Sequence, residues 1–304
     1  MKTTRARIVL VAVSAVISTM AQAQSIQFIV VDRQVNYVQS TAGTASLAGA
    51  NPYEFVIDLN GTSLGSLTFT FKKPGDAITN YTSFERDPGK EWQAPGPQGA
   101  YQFANMASLQ SAFPDGAYTI QTNLGTTSLL SIPNLIGGTN DGFANMPFLT
   151  GTQNGNPVSW SLGKMLVDPT QELTLTSTTF TTNYVTATGR IGLWLDYGVS
   201  GQQVTNETVP NNFIFNAATV QMQIAANTLT PGIYGGGLEF NNVTSGGLVN
   251  LNANIPGANG VGVYTAYTSF QIQAIPEPST YAAILGVVAL GGVMIRRRRI
   301  ATVK

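Results

Sequence analysis

The sequence predicts an all-β protein: two antiparallel sandwiches, preceded by a signal peptide and followed by one apolar C-terminal helix. Three observations carry that expectation. Apolar residues alternate with small polar ones over short runs, the period of strands covered on one face. The runs recur about every 8–12 residues between Gly, Asn, Asp and Pro turns, with 32 glycines to supply them and no sustained helical period. Both ends break this pattern and leave about 250 residues between them, enough for two ordinary all-β domains.

The first 23 residues read as a leader. A basic start (Lys2, Arg5, Arg7) precedes an apolar run from Ile8 to Ile17, and Ala21-Gln22-Ala23 closes the segment. Small residues at Ala21 and Ala23 suit a signal peptidase pocket, which places the cut before Gln24.

Strands are expected near Ile26–Val31, Tyr53–Leu59, Leu64–Phe71, Ala117–Thr122, Thr126–Ile132 and Val158–Leu162, then near Glu172–Phe180, Arg190–Tyr197, Thr219–Ala225, Ile233–Phe240 and Thr265–Ile275. A short helix is expected at Met106–Phe113, before the Pro114-Asp115-Gly116 turn. Gly, Asn and Pro cluster around 139–157 and set a boundary between residues 24–145 and residues 146–275.

Two segments echo each other across that boundary: Phe113-Pro114-Asp115-Gly116-Ala117-Tyr118 and Leu229-Thr230-Pro231-Gly232-Ile233-Tyr234. In each, a Pro/Gly turn launches a strand whose tyrosine can bury its ring and return its hydroxyl to the turn. The pattern resembles the Pro-x-Gly-x-Tyr turn of immunoglobulin-like and fibronectin-like bacterial surface modules. The resemblance implies one such sandwich in each half.

Composition excludes several chemistries. There is no cysteine and no histidine, so disulfides, thiolate nucleophiles, imidazole bases and the commonest metal ligand are all absent. Between the two ends, seven cations against fourteen acids leave about −7, which offers no basic face to nucleic acid. No cofactor is expected. The densest ionisable cluster is Glu85-Arg86-Asp87-Pro88-Gly89-Lys90-Glu91-Trp92. Its Glu85, Asp87, Glu91 and Trp92 are candidate sugar contacts, since indoles stack on pyranose faces; the Pro-Gly at its centre favours a solvated loop. Trp194-Leu195-Asp196-Tyr197 alternates as an ordinary strand does. Asn140-Asp141-Gly142 carries too few carboxylates for calcium and suits a hairpin turn.

The tail is the most specific feature. Pro276-Glu277-Pro278 leads into an apolar stretch, residues 279–295, and then into Arg296, Arg297, Arg298 and Arg299. The two prolines hold the backbone extended. Seventeen helical residues span roughly 26 Å, against ~30 Å of hydrocarbon, and the four arginines would stop transfer on the cytoplasmic side. Motif, short span and basic finish over residues 276–304 together resemble the PEP-CTERM sorting signal, whose relatives are also labelled ice-binding C-terminal domains. The resemblance implies recognition by an exosortase, an integral-membrane protease or transpeptidase cutting near Pro276, Glu277 and Pro278. It further implies an inner-membrane intermediate and delivery to the surface or extracellular matrix of a biofilm-forming Gram-negative bacterium.

These readings point to an exported, non-catalytic surface or matrix protein whose partners are signal peptidase and an exosortase. The alternatives are a carbohydrate-binding module holding exopolysaccharide and, after it, a carboxylate-based glycoside hydrolase. Mass spectrometry of the exported protein should find Gln24 at its start and no peptide containing Arg296–Arg299. An intact C-terminal peptide on released protein would contradict processing.

Overall fold

The computed structural model describes residues 25–62, 69–75, 82–83, 85–86, 93–94, 101–132, 142–181, 188–197, 202–205, 218–243, 249–250, 257–275 and 290. The leader and, apart from Leu290, the expected span at 279–295 lie outside them. Among the described residues no helix is long and apolar enough to cross a membrane.

The first half contributes β1 (Ser25–Thr41), β2 (Thr44–Leu47), β3 (Tyr53–Thr62), β4 (Phe69–Lys72), β5 (Thr82–Ser83), β6 (Glu85–Arg86), β7 (Gln93–Ala94) and β8 (Gln102–Phe103). Helix α1 (Met106–Ala112) precedes β9 (Gly116–Thr122) and β10 (Gly125–Ile132). The second half contributes β11 (Leu149–Gln153), β12 (Asn156–Pro157), β13 (Trp160–Ser161), β14 (Lys164–Val167), β15 (Leu173–Ser177) and β16 (Thr188–Tyr197). It ends with β17 (Gln202–Thr205), β18 (Gln221–Ile224), β19 (Gly232–Val243), β20 (Val249–Asn250) and β21 (Asn259–Ala274). The all-β class is as expected, and so is the helix, whose Asn105 side chain accepts from the Ser108 amide at 2.9 Å as an N-cap.

The expected division at residues 145 and 146 is where sequence and structure part. Two sandwiches would each keep their own sheets. Instead the central sheet runs β17-β16-β19-β21-β1-β3-β7-β6 and draws strands from both halves. Its seam is a parallel pairing of the first described strand with the last, from Phe28 opposite Asn259 to Val38 opposite Ser269. Local alternation reports that a strand exists but is blind to a partner more than two hundred residues away. A four-stranded sheet from the first half (β10-β9-β4-β5) and another from the second (β12-β11-β15-β18) accompany it. Side chains from all three sheets form one apolar cluster, including Phe55, Phe71, Tyr118, Leu149, Leu175, Leu193, Phe240 and Phe270.

The segment expected to be a linker is clipped to the central sheet by three buried side chains. Asn242 Nδ2 donates to the Gly142 carbonyl at 2.7 Å, and Thr268 Oγ1 donates to that of Pro147 at 2.6 Å. Gln39 meets Leu149 in both directions, its Nε2 donating to the carbonyl and its Oε1 accepting from the amide, each at 2.8 Å. A side-chain amide thereby stands in for a strand neighbour and pairs both backbone groups of Leu149.

Both tyrosine corners form as the sequence implies. Tyr118 Oη donates to the Pro114 carbonyl at 2.7 Å, and Tyr234 Oη donates to the Thr230 carbonyl at 2.7 Å, four residues upstream in each case. Both rings are buried. Gly116, at φ +131°, is required at the first corner, because a Cβ there would lie 2.8 Å from Pro74.

Beside the first corner lies a fully buried cation. Arg33 on β1 has no exposed surface. Its Nη1 donates to Asp115 Oδ1 at 2.6 Å and to Tyr264 Oη at 2.7 Å, and its Nη2 donates to the Phe113 carbonyl. The guanidinium also sits 5.5 Å from the Tyr264 ring centroid. Burial pushes the Tyr264 hydroxyl up to about 12 and raises that of Tyr118 as well, although the Arg33 charge partly offsets both shifts. Both phenols therefore stay neutral donors across the physiological range.

A buried charge that loses its partner is costly. Arg33→Met should lower unfolding stability by about 3–5 kcal/mol, because the Asp115 carboxylate and Phe113 carbonyl lose their donor. Adding Asp115→Leu should recover part of that loss. Denaturant titration checks both, and equal stability of Arg33→Met and wild type would show that the cluster contributes nothing.

Candidate functional site

The two faces of the central sheet differ in chemistry because side chains alternate along each strand. The inner face carries Ile191, Leu193, Leu195, Leu238, Phe240, Ala266, Phe270 and Ile272, all buried. The outer face is polar. Register aligns Arg190, Asn241, Thr265 and Gln34 in one row, and Gly192, Glu239, Tyr267 and Asn36 in the next. A third row holds Trp194, Gly237, Ser269 and Val38.

Side chains connect the first two rows. Arg190 pairs with Glu239 at 3.1 Å, Asn241 Nδ2 donates to Thr265 Oγ1 at 2.8 Å, and Gln34 Nε2 donates to Asn36 Oδ1 at 2.6 Å. Next to this ladder the Trp194 and Tyr267 rings stack with centroids 5.6 Å apart and planes 14° apart, both half-buried. They lie across Gly237, where a Cβ would fall 2.3 Å from the indole and 2.7 Å from the phenol ring. The neighbouring Gly236 admits the Phe270 ring on the inner face in the same way, at 2.3 Å.

The stacked pair forms one wall of an open recess of ≈ 540 Å³, within the range of small-ligand sites. Val38, Ser40, Gly235 and Gln271 line it, and the β13–β14 hairpin supplies the opposite rim through Leu162 and Gly163. Among the described residues lining it, none is charged.

The residues proposed from sequence are placed differently. Glu85 and Arg86 pair with Ala94 and Gln93, and residues 87–92 lie outside the described residues. The side chains of Glu85, Asp87, Glu91 and Trp92 lie outside the described residues. Trp194 does sit on an ordinary strand, but its partner Tyr267 is 73 positions away in the chain and meets it only through the β16–β19–β21 register. The one sequence cue was the Gly235-Gly236-Gly237 run facing it.

The last strand ends at Ala274, and the Ile275 amide donates to the Val167 carbonyl at 2.9 Å, which ties down the exit of the chain. From this point the chain matches the family description of the PEP-CTERM protein-sorting motif, over residues 274–299. The chain carries a PEP-CTERM sorting signal. It is therefore an exported protein processed by an exosortase. The matched stretch contains Pro276, Glu277 and Pro278 as well as Arg296, Arg297, Arg298 and Arg299. A comparison with curated proteins found no match.

Because Gly237 alone makes room for both rings, Gly237→Ala should unstack them. In a background with Trp92 and Trp160 replaced by Phe, the emission of Trp194 should shift to longer wavelength. Overpacking should cost about 1–3 kcal/mol. An unchanged spectrum would contradict this placement of the rings.

Proposed function

We propose that the chain is a non-catalytic protein of the cell surface or extracellular matrix of a Gram-negative bacterium, held for a time in the inner membrane by its tail. The observation that carries this reading is the position of the sorting signal. It begins on the final residue of β21, so the whole described body lies upstream of the processing point. Three of the described acids support the non-catalytic part, because structural contacts occupy them. Asp115 holds Arg33, Glu239 holds Arg190, and Asp168 accepts from Thr170 and Gln171 within its own turn. A glycosidase would instead set one partly desolvated carboxyl opposite another, about 5–10 Å away. A second reading, a body that holds polysaccharide, is favoured by the recess beside Trp194 and Tyr267.

Replacing Pro276, Glu277 and Pro278 together by Ala in the producing strain should trap the chain, uncut, in the inner-membrane fraction and remove it from released matrix. Unchanged release would overturn the sorting mechanism. Purified wild-type protein should generate no new reducing ends from the strain's own polysaccharide, and turnover there would overturn the non-catalytic reading.

A further inference from the structure

We propose that the recess on the outer face of the central sheet is a binding site for a neutral polysaccharide, with Trp194 and Tyr267 as its stacking wall. The proposal rests on the reading of the chain as a matrix protein and names the partner.

Three features of the recess are not explained by folding. The first is Gly235 on its floor. A Cβ there would meet nothing within 4 Å, and its φ is not one that demands glycine. A glycine in a strand weakens it, and where the fold does not need one it marks a place for something to approach the backbone. The second is Leu162 on the rim. It occupies the first position of a two-residue hairpin turn at φ 50°, where Asn or Gly is preferred, and its side chain is 90% exposed. Strain combined with an exposed apolar side chain points to a function outside the fold. The third is the wall. Two nearly parallel rings line it, and the exposed side chains of Ser40 and Gln271 make no hydrogen bond among the described residues.

The ligand follows from this chemistry. A pyranose has apolar C–H faces that stack on aromatic rings and a rim of hydroxyls that both donate and accept. The described lining offers rings, a hydroxyl and an amide, and no charged group; the one acid that register places beside it, Asp196 opposite Gly235, would repel uronate and phosphate. The recess is open rather than enclosed, so a chain can pass through it without presenting an end.

The test is affinity electrophoresis of the exported protein through gels containing hydroxyethyl cellulose, laminarin, soluble starch or xylan, with alginate as the anionic control. At least one neutral polymer should retard the wild type. Trp194→Ala and Gly235→Leu should each weaken that retardation by roughly tenfold or more, with far-UV circular dichroism unchanged, while Trp92→Ala should not. Gly235→Leu fills the recess from its floor without touching the core, so it separates loss of the site from loss of the fold. Retardation by none of the four neutral polymers, retardation by alginate alone, or unaltered retardation in both recess variants would each overturn the proposal. So would a change of oligomeric state in Trp194→Ala on sedimentation, which would make the recess a contact between copies. Binding can fail while the Pro276–Pro278 variant is still trapped uncut, so the sorting reading stands or falls separately.

Discussion

The parallel seam between β1 and β21, with Arg33 buried beside it, is the contact on which the rest of the structure depends. Arg33 lies opposite Tyr264 in that register, and its guanidinium reaches the Asp115 side chain and the Phe113 carbonyl at the corner after α1. Three distant parts of the chain thus converge on one cation. A desolvated arginine is tolerable only when its charge is paired and its terminal donors are engaged, as Nη1 and Nη2 are here, so the cluster forms only when the first strand, the corner and the last strand are all in place. An alternative pairing of β1 would leave that charge in an apolar interior.

The same seam fixes the two faces of the sheet. Once Arg33 and Val35 point inward, Gln34, Asn36 and Val38 must point outward, and β21 follows with Tyr264 and Ala266 inside and Thr265, Tyr267 and Ser269 outside. A slip of one residue would drive Tyr267 into the core and expose Tyr264. The glycine run of β19 is read by both faces, since Gly236 makes room for Phe270 inward and Gly237 for the Trp194–Tyr267 pair outward. β21 is therefore core, wall of the recess and lead-in to the sorting signal at once.

Much of this was legible in the sequence where the signal is local. Helix α1 shows in the Pro-Asp-Gly stop. The corners at Tyr118 and Tyr234 show in a turn and a strand start that share four residues, and the tail shows in a contiguous motif. What depends on distant pairing was not legible. The first part of β21, from Gly260 to Tyr264, is buried on both faces and rich in glycine, so it lacks the apolar-polar alternation that betrays a half-covered strand. The stretch around 142–149 looked like a linker because Gly, Asn and Pro supply no pattern, yet side chains of Asn242, Thr268 and Gln39 hold it. Trp92 drew attention as an aromatic among charges, whereas the stacked pair needed Trp194 and Tyr267 to be brought into one face by two intervening strand registers.

Equilibrium unfolding of the exported protein in guanidinium tests the single-core architecture most directly, followed by far-UV circular dichroism and tryptophan emission together. One shared core closed by β1 and β21 predicts a single transition that coincides by both probes. It also predicts that fragments 24–145 and 146–275, made separately, show no cooperative transition of their own. Two separated transitions, or a fragment that melts cooperatively alone, would contradict it and restore a pair of independent sandwiches.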